Sequence, residues 1–120
     1  MPLSVQDAAL PLDMLESARR VLTYCAGRSR ADFDADLMFA DAVVRRVEIV
    51  GEAARGVSDQ GRSDHPEIGW HPIMATRHIL AHEYATVNYD IVWRIVTDHM
   101  PRLVTQLEGI LAQAPPPPPP

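Results

Sequence analysis

At 120 residues the chain has room for one domain with a real core and little besides. Hydrophobic residues make up 47% of it, and no apolar run approaches the roughly 18 residues needed to span a bilayer as a helix. A net charge of −5 argues against broad electrostatic binding of nucleic acid, while leaving room for a local cationic patch. Every basic residue other than histidine is arginine; this suits forked phosphate contacts, although a compositional bias of the source genome explains it more simply. Cys25 is the single cysteine, so neither an internal disulfide nor a cysteine-based zinc site is expected. It falls within an apolar helical pattern and reads as an inert core residue. The opening Met1-Pro2-Leu3-Ser4 lacks the basic and apolar regions of a signal peptide, so a cytoplasmic location is expected.

Four helical segments are predicted in an antiparallel all-α bundle, because the connections are short and no strand pattern or internal repeat stands out. Pro11 suits a first helical turn, and Leu12, Leu15, Ala18, Leu22 and Cys25 follow at helical spacing until Gly27. After a connection from Gly27 to Ala31, Asp32 is placed to cap the second helix. There Phe33, Leu37, Ala40, Val44, Val47, Gly51 and Ala54 form one continuous stripe, opposed by a polar row of Asp41, Arg45, Glu48, Glu52 and Arg55. A further row, Phe39, Val43, Val50, Ala53 and Val57, is also apolar apart from Arg46. So wide an apolar surface is expected to meet a second subunit as well as the core. Gly51 costs helix stability, and its expected return is a close helix–helix approach.

The turn clusters between Ser58 and Pro66 predict a loop. A third helix should begin between Trp70 and Pro72 and run to about Tyr84. Asn88 or Asp90 can cap the fourth, whose apolar face is Tyr89, Val92, Val96, Leu103, Leu107 and Ile110, with a kink expected at Pro101. The helical domain thus covers residues 1–114, and Pro115 to Pro120 should form an extended, disordered polyproline tail.

The third helix carries Arg77-His78-Ile79-Leu80-Ala81-His82-Glu83-Tyr84. Arginine grips phosphate, histidine moves protons near neutral pH, and tyrosine offers a ring with a hydroxyl. Such a set suits phosphate-ester chemistry without a metal. Each member also has a plainer reading: Arg77 paired with an acid such as Glu52, His82 as a core histidine, Tyr84 as core filling. His78 and His82 have a spacing that could bind zinc, but no third ligand stands out. His65, His71 and His99 are isolated and read as surface or structural residues. At about 100° per residue, Arg77 and Tyr84 share nearly one line, whereas Arg77 and His82 differ by about 140°. That is poor geometry for gripping one phosphate. Either the helix unwinds near His82, or a twofold partner supplies a second copy of the motif.

Arg77, His82 and Tyr84 stand in the pattern Arg, four residues, His, any residue, Tyr, and here the chain resembles the HepT-like toxins of the HEPN superfamily. The likeness extends to Asp41–Ala54 around Ile49-Val50-Gly51-Glu52-Ala53, to His65-Pro66-Glu67-Ile68-Gly69-Trp70, to Tyr89-Asp90-Ile91-Val92-Trp93 and to Met100-Pro101-Arg102-Leu103. It therefore spans about residues 10–111 in order. One position departs: His78 stands where HepT-like proteins usually carry Asn.

The resemblance implies a homodimeric helical bundle that cleaves RNA without metal or cofactor, as the toxin of a type VII HepT/MntA toxin–antitoxin pair. Arg77 and His82 would be catalytic and His78 supporting, with Arg46 and Glu52 lending support from the second helix. The implied partner is an MntA-like minimal nucleotidyltransferase antitoxin that transfers AMP to Tyr84. The alternative is a non-catalytic helical subunit that binds nucleotide or accompanies a nucleotidyltransferase, which the acidic charge and His78 favour.

Overall fold

The computed structural model describes residues 5–82 and 87–113, with side chains from 8 to 76 and from 87 to 113. Tyr84 and the polyproline segment Pro115–Pro120 lie outside the described residues. The helices are α1 (Val5–Cys25), α2 (Asp32–Ala35), α3 (Leu37–Gly56), α4 (Asp59–Asp64), α5 (Trp70–His82), α6 (Tyr89–Arg94) and α7 (Met100–Ala112), with a π-helical turn, Ile95–His99, joining the last two. Among the described residues there is no strand, and no helix is long and apolar enough to cross a membrane. The fold is all-α among the described residues.

The first helix begins earlier than its sequence suggested. It starts at Val5, so Pro11 lies inside it rather than in its first turn. The missing N–H costs a helical hydrogen bond, and burial of the whole ring in the core offsets that loss. The buried face is Met14, Leu15, Ala18, Val21 and Cys25, whereas Leu12 of the expected stripe is 54% exposed. Burial pushes the Cys25 thiol up to about 11, against a smaller opposing effect of Arg28, in keeping with an inert core cysteine. Gly27 ends the helix at φ +74°, and the Arg28 N–H donates to the Cys25 carbonyl at 2.9 Å.

The expected second helix is two helices. Asp36 leaves the helical region (φ −137°, ψ 92°), and its side chain accepts from the Phe39 N–H at 3.1 Å, so Asp36 caps the long helix. Asp32 instead accepts from the Ser29 N–H at 2.7 Å. The break frees Phe33 to turn inward, where it is fully buried with its ring centroid 5.2 Å from Phe39, 5.3 Å from Tyr89 and 5.6 Å from Trp93. Aromatic pairs at such distances add to the area they bury.

The width of the apolar surface on α3 has an explanation within one chain. Phe39, Ala40, Val43, Val47, Val50, Gly51, Ala53 and Ala54 are all buried. Helix α3 packs against both α1 and α5, so two neighbours cover two rows. The breadth of that surface is thus no evidence for a second subunit. Leu37, nominally on the main stripe, is 63% exposed, and Met38 is 86% exposed.

The segment expected as a loop contains helix α4. Ser58 caps it by accepting from the Gly61 N–H at 3.0 Å, and Arg62 pairs with Asp59 within it. At the fourth segment Asn88 is the cap, accepting from the N–H groups of Asp90 and Ile91. Pro101 then enters α7 in its first turn, directly after the π turn, in which the Met100 N–H reaches back to the Ile95 carbonyl. A proline ring clashes with the carbonyl four residues earlier. One wider turn makes room for it where a sharp kink was expected.

Helix α1 packs on α3 and α7, and α3 on α5. The remaining seam, between α5 and the composite of α6, the π turn and α7, is not closed. It holds a cavity of about 470 Å³.

Candidate active site on the fifth helix

The start of α5 is fixed by its first residue. Trp70 is buried, and its indole Nε1–H donates to the His65 carbonyl at 2.9 Å. Ile68, 2% exposed, anchors the approach. His65 is structural as expected: it is 7% exposed, and its Nδ1 lies 3.5 Å from Glu67 Oε1. His71 and His99 are exposed.

From this anchor the α-helical backbone continues without interruption through His82. Arg77, His78 and His82 therefore sit on one regular helix, and their side chains lie outside the described part of the chain. Regular helical backbone keeps Arg77 and His82 about 140° apart. Unwinding before His82, one of the two remedies for that angle, does not occur. Tyr84 lies beyond the described residues.

The two supporting residues expected on the second helix both lie on α3. Arg46 and Glu52 line a groove between α1 and α3 together with Asp13, Glu16, Ser17 and Arg20. Arg45 lies 3.8 Å from Glu52. The Ser17 hydroxyl in this groove is buried and makes no hydrogen bond among the described residues.

A feature missed in the sequence adjoins the motif. The open seam is lined by Gly69, just before α5, and by Pro72, Ile73 and Thr76 on it, one residue short of Arg77. Across it stand Ile91, Arg94, Ile95, His99, Met100 and Arg102. Val47 and Val50 form its floor on α3, and Glu67 and Gln106 close one end, the Gln106 amide donating to the Glu67 carbonyl at 2.8 Å. The signal that could have found it was the proline after a run of helical residues, since the π turn puts Arg94 and Arg102 on one wall.

Residues 14–110 match the family model described as Ribonuclease HepT-like. The chain is 32% identical over 96 residues to a candidate RNase of Methanocaldococcus jannaschii, covering 80% of this chain and 88% of that one. It is 34% identical over 98 residues to a candidate RNase of Caldanaerobacter subterraneus subsp. tengcongensis, with 82% and 88% covered. A candidate ribonuclease HepT of Thermococcus cleftensis is 29% identical over 106 residues, with 88% and 91% covered. No solved structure matches the chain.

Proposed function

The chain belongs to the HepT-like ribonuclease family of the HEPN superfamily, and from that premise we propose that it is a metal-independent endoribonuclease toxin acting through Arg77 and His82. The observation that carries this reading is Arg77 and His82 on one unbroken helix within a chain whose residues 14–110 match the family model. Relatives named as RNases support an RNase activity.

The chemistry follows from the side chains. One His82 imidazole takes the proton from a ribose 2′-hydroxyl, and that oxygen attacks the adjacent phosphorus. Arg77 neutralises the phosphorane, and the same imidazole, now protonated, gives that proton to the departing 5′-oxygen. The 2′,3′-cyclic phosphate and the 5′-hydroxyl are the products. Because positions 77 and 82 lie about 140° apart around one helix, the proposed site is composite, formed by two copies of α5 across a twofold axis. His78, four residues before His82, would support orientation or phosphate binding.

Purified protein incubated with bulk cellular RNA in EDTA should cleave it, leaving 2′,3′-cyclic phosphate ends. A metal requirement or 3′-hydroxyl ends would reject this route. The absence of any cleavage would leave the accessory-subunit reading, which the net charge of −5 and His78 favour.

Control of the toxin is proposed to act at Tyr84, the tyrosine of the motif, through a minimal nucleotidyltransferase antitoxin. The tyrosyl oxygen would attack the α-phosphorus of ATP and release pyrophosphate, leaving AMP esterified beside the cleft. That group adds bulk and negative charge, pairs with Arg77 and competes with RNA. Co-expression with the antitoxin should raise the intact mass by about 329 Da per AMP, and Tyr84→Phe should abolish the increment while cleavage persists. Modification at another residue would rule out this switch.

A further inference from the structure

We propose that the cavity between α5 and the composite last helix holds one nucleotide of a single-stranded RNA substrate. Its base would lie on the apolar wall and its phosphate on Arg94 and Arg102. The proposal rests on the ribonuclease reading and supplies it with a substrate subsite. The cavity of about 470 Å³ is within the range of small-ligand sites and opens beside the motif, its α5 wall ending at Thr76.

Arg94 and Arg102 share this cavity, whereas Arg46 and Arg55, which also make no ion pair among the described residues, lie elsewhere. In a chain of net charge −5, most arginines are occupied: Arg19, Arg20, Arg28, Arg30, Arg45 and Arg62 each pair with a carboxylate. Arg94 and Arg102 have no ion-pair partner among the described residues, and both face the cavity. Of the acids at its edge, Glu67 lies 3.5 Å from His65 Nδ1. Two unpaired guanidiniums beside Ile73, Ile91 and Ile95 offer what a nucleotide requires: a cationic grip for phosphate and an apolar face for the base.

The π turn makes this wall possible. Residues eight apart in a regular helix differ by about 80°, and one inserted residue reduces this to about 20°. The lining shows the five-residue step, from Arg94 to His99 and from Ile95 to Met100. Without the turn Arg94 and Arg102 would diverge.

The test is binding of a fluorescein-labelled, 2′-O-methyl single-stranded RNA, which cannot be cut, to the full chain, followed by anisotropy across a salt series. The Arg94→Ala/Arg102→Ala double variant should bind at least about tenfold more weakly, and its log–log salt slope should fall by about 1.4. Arg55→Ala, which removes an exposed arginine away from the cavity, should bind as the wild type does. Circular dichroism melts establish that each variant is folded. Wild-type affinity and slope in a folded double variant would overturn the subsite while leaving RNA cleavage by the motif untouched. Loss of binding in the double variant, from a wild type that binds RNA but never cleaves it, would support the subsite and reject the ribonuclease reading. A wild type that binds no oligonucleotide would overturn both.

Discussion

Replacing His82 with alanine should slow RNA cleavage by about 10²–10⁴-fold, the usual contribution of a positioned acid or base. Arg77→Ala should cost about 10²–10³-fold through the charge left on the phosphorane. Neither change should alter helix content, because the start of α5 is held by Trp70 and Ile68, well upstream. The decisive experiment mixes the two inactive variants. In a twofold composite site with Arg77 from one protomer and His82 from the other, a mixed dimer has one cleft lacking both groups and one cleft intact. Equal amounts allowed to exchange subunits should therefore recover about a quarter of wild-type activity. Were both groups used from the same chain, every cleft in the mixture would lack one, and no activity would return. Recovery thus reads the assembly of the site directly, where single variants read only its chemistry.

The all-helical class was legible because it rests on periodicity, which survives without tertiary information. So were the ends set by local chemistry: Gly27 closing α1, Trp70 opening α5 and Asn88 capping α6. The break at Asp36 was not, because Phe33 and Leu37 continue the stripe of α3 without a gap. What ends that helix is the pull of Phe33 toward Phe39, Tyr89 and Trp93, and the last two lie more than fifty residues along the chain. Helix α4 was hidden for the opposite reason: six residues with Gly61 among them carry too little pattern, and only the Ser58 cap announced it. Pro101 was read correctly as a disturbance, but its remedy depends on neighbouring turns, so the proline marked the place without disclosing the π turn or the cavity beside it. The catalytic motif was readable as a set of residue types. The site it belongs to was not, since positions 77 and 82 of a regular helix lie about 140° apart and the sequence of one chain does not state what completes them.

Phe33→Ala should be among the most destabilising single changes in the chain, and it separates the two accounts of the second helix. The ring is fully buried within the aromatic cluster, so truncation should cost about 3–5 kcal/mol. At this chain length that lowers Tm by more than about 10 °C. On the uninterrupted stripe Phe33 and Leu37 are equivalent core positions, and Leu37→Ala should then cost about 2–5 kcal/mol. With the helix broken at Asp36, Leu37 is 63% exposed, and its truncation should stay within about 0.5 kcal/mol. Thermal melts of both variants over a range of protein concentrations decide the matter. Comparable, concentration-independent losses in both would restore the single helix and overturn the break. A Leu37→Ala loss that changes with dilution would instead place that leucine in a contact between subunits, because only association makes Tm depend on concentration.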